Sequence, residues 1–500
     1  FVGYDLLEAR AFRITRDADL YIDEEDAQDL VVEVERQLKK RQRGQAVRLE
    51  FEVGTSRFMR RFMTQEMNLE KEDMYQIDGP LDMTVFFGFC GIKGYNHLRY
   101  PEAHPHSPWS ILELKRTPET NIFDMIREKD LLIHLPYESF DESVVNFLYS
   151  AANDKDVLAI KQTLYRVSSS SPVVQALEKA VQNGKQVTVL MEVKARFDEA
   201  NNILMARRLE KAGAHVIYGL VGLKTHSKCT LVIRREKDGI RRYVHVATGN
   251  YNASTAKLYT DLGILTCNDR FGIDASAFFN LLSGYSDPPI WDSFIVAPIN
   301  LRQRCIELID REIHFAKNGE DAHMIAKMNS LLDKGIIEKL YEASQAGVKI
   351  ELIVRGICVL IPGIPGVSDN ITVRSIVGRF LEHSRIFWFR NGGREELYIS
   401  SADWMPRNLN DRVELMVPIE DPEIKRRLKQ MVDIELSDNQ KAHIMQADGT
   451  WLKTISAENQ LCAQEYFQKI AEKRDAEDEM TLAQKLEPYT PVLGHGDGSD

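Results

Sequence analysis

One short pattern occurs twice in this chain, and its repetition constrains the fold more than any other feature. His226-Ser227-Lys228 and His383-Ser384-Arg385 each open an apolar strand, which a turn joins to a returning strand. The turns contain Asp238-Gly239 and Asn391-Gly392, dipeptides that are typical of hairpins. Because alternate residues of a strand point to the same side, one pocket can receive both the imidazole and the cation of each triplet. The repetition therefore predicts two copies of one structural unit that handles an anion such as phosphate.

A second repeated pattern lies upstream of each triplet and indicates the fold class. A helical pattern ends at a glycine and continues as a strand, at 171–184 followed by 186–191, and at 336–347 followed by 349–354. Pro172 stands early in the first helix, and Gly184 and Gly347 stand where the helices end. The β-branched runs that follow are typical of buried strands. Both halves are therefore predicted to be α/β units.

The predicted domain organisation places these units between a head domain and a C-terminal extension. We expect a partial α+β head domain at 1–108, a first α/β domain at 109–293, a second at 294–436 and an extension at 437–500. A Pro/His-rich passage at 101–108 and the break at Asp287-Pro288-Pro289 mark the first two boundaries. The Gly/Asp-rich end at 494–500 is predicted to be disordered.

Composition excludes several classes of protein. A chain of 500 residues that is 44% hydrophobic and 28% charged can form several domains with real cores. Its formal net charge of −11 argues against a nucleic-acid partner, and its sequence lacks an apolar stretch long enough for a transmembrane segment. The six cysteines are scattered without CxxC pairs, which argues against a zinc site and predicts reduced thiols in a cytoplasmic protein.

The histidines of the two triplets are the candidate catalytic residues. A neutral imidazole has a free nitrogen that can attack phosphorus or move a proton. Lys224 and Lys228 flank His226, and Arg385 follows His383, so each histidine has a cation that can hold phosphoryl oxygens. An isolated histidine is more often structural than catalytic, but the duplication and the flanking cations favour catalysis here.

A nucleophilic histidine needs an acceptor that orients its other nitrogen, and both copies offer a carboxylate at the same spacing. Asp261 lies eleven residues after Asn250, and Glu414 lies eleven residues after Asp403. A lone acidic residue is more often a surface charge, but equal placement in two copies favours a function. We therefore expect Asp261 to orient His226 and Glu414 to orient His383.

Longer strings around these residues carry a family resemblance. The sequence resembles the phospholipase D superfamily and, more specifically, polyphosphate kinases of the first, long-chain type. The matching strings are KQTLYR at 161–166, EVKARFDE at 192–199, KTHSK at 224–228, TGNYN at 248–252, IAKMNS at 325–330, VRGIC at 354–358 and SADWMPRN at 401–408. The resemblance implies two tandem phospholipase D-like α/β domains. It also implies that the chain is a fragment that lacks an N-terminal helical domain and the first part of the head domain.

The resemblance further implies a reaction and its partners. ATP would give its terminal phosphoryl group to His226, and the phosphohistidine would pass that group to a polyphosphate chain, in a reaction that also runs backwards to make ATP from ADP. His383 would contact the nucleotide phosphates and serve as general acid or base, while Tyr259 and Arg355 would bind ATP. Lys224, Lys228 and Arg385 would form a basic phosphate-binding tunnel. Members of the family are dimers, so a homo-oligomer is expected.

Magnesium is the cofactor that the resemblance implies, at the positions of Arg166 and Arg196. A guanidinium has no free acceptor atom and cannot ligate a cation. We therefore interpret the two arginines as phosphate clamps beside a magnesium ion that the nucleotide carries.

Two other functions remain open from the sequence. A phospholipase D-like phosphodiesterase or nuclease also attacks phosphorus with a histidine. Against it, residues 229–233 are apolar where an Asp is expected, and Arg385 stands where Lys is usual. A polyphosphate-binding scaffold without catalysis is the third possibility, which the presence of both His226 and His383 disfavours.

Overall fold

The structure, a computed structural model, describes residues 3, 5–18, 30–41, 44–108, 111–112, 121–284 and 290–485. The chain divides into two units, 1–103 and 104–500. The predicted break at 287–289 and the predicted disordered end at 494–500 lie outside the described residues. Within the described ranges, no helix is both long enough and apolar enough to cross a membrane.

The first unit is an α+β structure, as predicted. Its strands and helices are β1 (Phe12–Arg16), α1 (Leu30–Arg41), β2 (Ala46–Glu52), α2 (Arg57–Met67) and β3 (Met74–Ile77). Strand β2 lies in the middle of the sheet, antiparallel to β1 and parallel to β3. Ser56 caps the start of helix α2, and its hydroxyl accepts a hydrogen bond from the Met59 N–H at 3.1 Å. Leu49 and Phe51 of β2 pack with Met63 of α2 in the core of this unit.

The first lobe of the second unit, residues 121–284, contains a mixed sheet in the order β4-β11-β10-β9-β5-β6-β7. Its strands are β4 (Leu131–Leu135), β5 (Val157–Leu164), β6 (Gln186–Met191), β7 (His215–Tyr218), β8 (Lys224–Thr225), β9 (Cys229–Glu236), β10 (Gly239–Ala247) and β11 (Tyr259–Thr266). Its helices are α3 (Ile122–Glu128), α4 (Asn146–Asn153), α5 (Pro172–Gln182), α6 (Glu199–Ala212) and α7 (Asp269–Leu282). Strands β5, β6 and β7 are parallel, and the remaining pairs of this order are antiparallel.

The second lobe, residues 290–485, repeats this succession in the order β12-β19-β18-β17-β13-β14-β15, and β20 and β21 continue the sheet. Its strands are β12 (Ile295–Ala297), β13 (His323–Met328), β14 (Lys349–Val354), β15 (Ile371–Ile376), β16 (Leu381–Glu382), β17 (Arg385–Phe389), β18 (Glu396–Ser400), β19 (Arg412–Pro418), β20 (Ala442–Met445) and β21 (Trp451–Lys453). Its helices are α8 (Leu301–Lys317), α9 (Lys334–Gln345), α10 (Pro406–Asn410), α11 (Pro422–Leu436) and α12 (Ala463–Lys485). The prediction of two α/β units is confirmed.

Local sequence explains the two helices that were predicted from the repeat. The Ser171 hydroxyl accepts a hydrogen bond from the Val174 N–H at the start of α5, Pro172 is its first residue, and Gly184 follows it with a φ of +79°. Helix α9 begins at Lys334 rather than at the predicted Ile336. The reason is that Asp333 caps it, with Oδ1 accepting from the Ile336 N–H at 3.1 Å.

The predicted domain boundaries remain predictions, and the sheet bears on one of them. Strand β20 pairs antiparallel with β15, and β21 pairs with β20. Both strands lie beyond residue 436, in the stretch that was assigned to a C-terminal extension. We therefore propose that the second lobe extends at least to Lys453.

The two lobes exchange short strands, and this exchange positions the candidate site. Strand β8 of the first lobe pairs in parallel with β19 of the second, with Thr225 opposite Val413. Strand β16 of the second lobe pairs in parallel with β11 of the first, with Glu382 opposite Thr260. Each triplet histidine follows one of these short strands directly. Each histidine consequently lies beside the strand of the opposite lobe that contains a candidate carboxylate, β19 with Glu414 or β11 with Asp261.

Candidate active site

His226 contacts a carboxylate of the other lobe. Its Nδ1 lies 2.9 Å from both Oε1 and Oε2 of Glu414, and its backbone N–H donates to the Val413 carbonyl at 2.9 Å. The side chain of His226 is 9% exposed and that of Glu414 is fully buried. A proton on Nδ1 that is donated to the carboxylate leaves Nε2 with a free lone pair. Nε2 is therefore the ring nitrogen that this hydrogen bond leaves available to a ligand.

Glu414 is itself held by neighbouring polar groups. The Ser401 hydroxyl and the Asn408 amide each donate to its carboxylate at 2.5 Å, and Arg412 Nη1 lies 4.0 Å from Oε1. Burial raises the pKa of Glu414, while Lys228 and Arg412 lower it in part. The carboxylate is thus fixed in position by hydrogen bonds before any ligand binds.

His383 occupies the matching position in the other half of the site. Its Nδ1 lies 2.9 Å from Oδ1 of Asp261, and the Thr248 hydroxyl donates to the same oxygen at 2.6 Å. Although burial raises the pKa of Asp261, His383 and Thr248 bring it below its usual value. Asp261 therefore acts as the charged acceptor that orients His383.

The sequence-based assignment of the two carboxylates is wrong and must be exchanged. Asp261 orients His383 rather than His226, and Glu414 orients His226 rather than His383. The physical cause is the strand exchange, because β8 and β16 each cross to the sheet of the opposite lobe. Asp261 and Glu414 do lie at the same spacing within their own copies, but each contacts the histidine of the other copy.

Charges of both lobes act on the two histidines. Burial, with the nearby charges of Lys228, Arg412, Arg385 and His383, lowers the pKa of His226 well below its ordinary value. Burial lowers the pKa of His383 as well, with Arg385 acting in the same direction. His226 is therefore a neutral imidazole at neutral pH, as a nucleophile must be.

Lys228 and Arg385 differ in how they are paired. Lys228 donates to the His226 carbonyl, and burial lowers the pKa of its ammonium to about 7. Arg385 makes two hydrogen bonds to Asp403, at 3.1 Å from Nε and 3.0 Å from Nη2, and a third to the His383 carbonyl. Arg385 is thus neutralised by Asp403, whereas no carboxylate of the described residues is in hydrogen-bonding contact with the Lys228 ammonium beside His226.

Several other predicted residues lie around these histidines. The Tyr259 ring lies 5.2 Å from the His383 ring, between centroids. Arg355 Nε donates to Asn329 Oδ1 at 2.8 Å, and the Asn329 N–H donates to Asp403 at 2.7 Å, which links Arg355 to Arg385. Lys224 lies in β8 with its side chain exposed.

Arg166 and Arg196 lie in adjoining loops of the first lobe. Arg166 Nε is 2.8 Å from Asp198 Oδ2, and its Nη2 donates to the Arg196 carbonyl at 3.3 Å. The Arg196 guanidinium lies 5.3 Å from the centroid of the Phe197 ring. Within the described ranges, no group of three or more His, Cys, Asp or Glu side chains is arranged to hold a metal ion.

The site contains residues that the sequence did not single out. The Tyr165 ring meets the His226 ring edge to face at 4.8 Å, and Lys228 Nζ lies 5.8 Å from the Tyr165 centroid. Ser401 and Asn408 hold Glu414, as described above. All three lie within the matching strings at 161–166 and 401–408, which was the available signal. An aromatic residue at a strand end is more often part of the core, so spacing alone could not identify Tyr165.

Two cavities of the second unit are not lined by either of the two histidines. One, of about 360 Å³, lies between β4, α11 and α12 and is lined by Tyr137, Met431 and Phe467 among others. Neither His226 nor His383 lines it. We place the candidate site at the two histidines, because the paired carboxylates and the cations Lys228 and Arg385 lie there.

Two α/β lobes, each with a histidine that contacts a carboxylate of the other lobe, define a tandem-repeat α/β protein with two crossed histidine–carboxylate pairs. Models of polyphosphate kinase domains match most of the chain: the middle domain at 1–89, C-terminal domain 1 at 121–288 and C-terminal domain 2 at 294–464. The chain belongs to the polyphosphate kinase family.

Individual relatives agree with this assignment. The chain is 54% identical over 445 residues to the polyphosphate kinase of Halalkalibacterium halodurans, covering 88% of this chain and 62% of that protein. It is 48% identical over 494 residues to that of Synechocystis, covering 94% of this chain and 67% of that protein. The crystal structure of the Porphyromonas gingivalis polyphosphate kinase superposes with a TM-score of 0.82 at 32% identity, covering 95% of this chain and 69% of that one. The chain thus spans about two thirds of the length of these relatives.

Proposed function

We propose that this protein transfers the terminal phosphoryl group of ATP to polyphosphate, reversibly, through a phosphohistidine at His226. The observation that carries the proposal is the hydrogen bond from His226 Nδ1 to Glu414, which leaves Nε2 free inside a buried cationic site. Family membership supports the substrates, because the relatives are named polyphosphate kinases.

The proposed reaction has two displacement steps at phosphorus. In the first, the Nε2 lone pair attacks the γ-phosphorus, an N–P bond forms, and the bond to the β,γ-bridging oxygen breaks with release of ADP. In the second, a terminal oxygen of polyphosphate attacks the same phosphorus and the N–P bond breaks. The imidazole carries a positive charge while it is phosphorylated, and Glu414 stabilises that charge from Nδ1. An N–P bond retains high transfer potential, so both steps can run in reverse.

Other residues around His226 and His383 would bind the phosphates and the nucleotide. Lys228 stabilises negative charge on the transferred group, since it lies beside His226 and no carboxylate in the part of the chain that the structure describes is in hydrogen-bonding contact with it. Lys224 and Arg385 extend the basic path for phosphates. His383 and Tyr259, whose rings are adjacent, contact the nucleotide, with His383 as general acid or base. Arg355 binds ATP from the second lobe.

Magnesium would enter with the nucleotide. Arg166 and Arg196 offer guanidinium groups, which donate hydrogen bonds and have no lone pair for a cation. They fit phosphate oxygens rather than a metal ion. The two arginines would therefore not ligate a metal ion, and a nucleotide-bound ion would lie beside them.

Labelling with γ-³²P-ATP tests this function. The chain should acquire acid-labile, alkali-stable label, and His226→Ala should lose it, whereas His215→Ala, which changes an exposed histidine of β7, should keep it. Label that persists in His226→Ala would contradict the assignment. Hydrolysis of a phosphodiester without ADP release would favour the phosphodiesterase alternative, and tight polyphosphate binding without label would favour a scaffold. Molar mass in solution tests the homo-oligomer that family membership suggests.

A further inference from the structure

Gln464, in the first turn of α12, is inserted into the second lobe behind His383. Its Nε2 donates to Glu382 Oε1 at 2.7 Å and to the Phe380 carbonyl at 2.9 Å. Its Oε1 accepts from the Phe380 N–H at 3.0 Å. The residue is 3% exposed. Both ends of the amide are therefore used, and both fix the short segment that leads into His383.

The backbone has a glycine where Gln464 approaches it. A Cβ built on Gly378 would overlap Oε1 and Cδ of Gln464. The φ of Gly378 is not in the left-handed region, so the backbone alone does not require glycine there. The space that glycine leaves is occupied by the Gln464 amide.

Glu382 is connected to His383 by hydrogen bonds through Thr260. Its Oε2 accepts from the Thr260 hydroxyl at 2.8 Å, and the oxygen of that hydroxyl accepts from the His383 N–H at 3.2 Å. Thr260 directly precedes Asp261, the carboxylate that orients the His383 ring. The backbone of His383 and the strand that carries its acceptor are thus joined to Gln464 through two side chains.

A buried ion cluster holds Glu382 from the other side. Lys327 Nζ donates to Glu382 Oε2 at 2.6 Å and also to Glu435, and all three side chains are nearly inaccessible to solvent. Removing such charges from water is costly, and buried ion pairs contribute little net stability compared with apolar side chains. A positioning role explains why charged groups occupy this place.

The equivalent contact at His226 is made without side chains. The His226 N–H donates to the backbone carbonyl of Val413, which stands where Thr260 stands in the other half. Thr225 occupies the position of Glu382, and its hydroxyl has no hydrogen-bond partner among the described residues. The side-chain relay is therefore specific to the His383 half.

We propose that Gln464 is a positioning residue for His383 and acts through Glu382 and Thr260. The inference rests on the proposed function in so far as His383 takes part in phosphoryl transfer. Helix α12 then belongs to the working site although none of its described side chains contacts either histidine ring through a hydrogen bond. Loss of the Gln464 amide releases the segment 380–383, so that His383 no longer meets Asp261 and the nucleotide in a fixed geometry.

A double-mutant cycle tests the proposal. Gln464→Met keeps the length of the side chain and removes its hydrogen bonds, and Gln468→Met, one turn further along α12, is the matched control. We expect Gln464→Met to lower kcat by about 10-fold to 100-fold, as loss of an orienting partner does at other sites, and Gln468→Met to leave kcat within about 2-fold. In a His383→Ala background, Gln464→Met should have no further effect, because its influence passes through the missing imidazole. Unchanged kcat, or an effect that adds to that of His383→Ala, would overturn the proposal.

A second measurement separates this proposal from the proposed function. In the chain with ¹⁵N-labelled histidine, the resonance that His383→Ala removes is that of His383, and it should report a proton on Nδ1. Gln464→Met and Thr260→Val should both change this tautomer signal, and Gln468→Met should not. A chain without phosphoryl transfer would refute the proposed function while the tautomer still decides the role of Gln464. An unaltered tautomer in Gln464→Met would refute the role itself, and Gly378→Ala, whose Cβ would overlap Gln464 Oε1, decides it if Gln464→Met does not fold.

Discussion

Glu414 Oε1 lies 2.9 Å from His226 Nδ1, although 188 positions separate the two residues along the chain. Each residue belongs to a different lobe, and the exchanged strand β8 brings them together. The nucleophile proposed here thus depends on an acceptor that its own lobe does not supply.

Glu414→Gln should slow phosphohistidine formation on the order of 10³-fold, because an amide permits the wrong imidazole tautomer. Asp261→Asn should leave the label on His226 and slow turnover instead, since Asp261 orients His383. Rapid-quench labelling with γ-³²P-ATP separates the two steps. Glu420→Gln, a change at an exposed ion pair with Arg270, is the control. Loss of label in Asp261→Asn with label retained in Glu414→Gln would restore the uncrossed assignment.

Activity should fall as the pH rises through about 7, because burial lowers the pKa of the Lys228 ammonium to about 7 and its charge is lost above that value. Lys228→Arg should keep the charge and move the alkaline limb of kcat/KM above about pH 9, since a guanidinium remains protonated there. The second lobe already has Arg385 at the matching place, so an arginine suits this strand position. Lys224→Arg should leave the limb where it is. An alkaline limb that does not move in Lys228→Arg would assign it to another group.

Gly249→Ala should displace Asp261, because a Cβ at this position would overlap the Asp261 carboxylate. We expect kcat to fall by about 10-fold or more, with little change in the far-ultraviolet circular dichroism. Gly335→Ala is the matched control, since its Cβ would lie 3.5 Å from Asp333 Oδ1, an ordinary contact, within helix α9. That change should stabilise the fold by up to about 1 kcal/mol. Equal activities of the two variants would show that Asp261 tolerates the displacement.

Asp274→Ala should destabilise the junction between the lobes. Asp274 Oδ2 accepts from the backbone N–H groups of Asp292, Ser293 and Phe294 at 3.1, 2.6 and 2.8 Å. Its removal leaves three donors without an acceptor, so we expect the free energy of unfolding to fall by about 3 kcal/mol in urea denaturation. Asp269→Ala, at an exposed position in the first turn of the same helix, should cost less than about 1 kcal/mol. Similar losses in both variants would show that the three hydrogen bonds contribute little.

The sequence predicted those parts of the fold that local chemistry determines. The cap at Ser171, the proline at 172 and the glycine at 184 are short-range signals, and the helix between them is where they place it. The repetition of the triplets likewise predicted the two equivalent sheets, because both copies carry the same succession of turns and strands.

The crossing of the two acids could not be predicted in this way. Spacing along the chain relates Asp261 to its own copy, but strand pairing over long distances is decided by packing between the sheets. Gln464 was missed for a similar reason, since no motif surrounds it and its partner Glu382 is 82 positions away.

The exchange of β8 and β16 has a consequence for how such a protein can change over time. Each copy takes the proton acceptor of its histidine from the other copy. Deletion or replacement of either copy would remove one imidazole and the acceptor of the other.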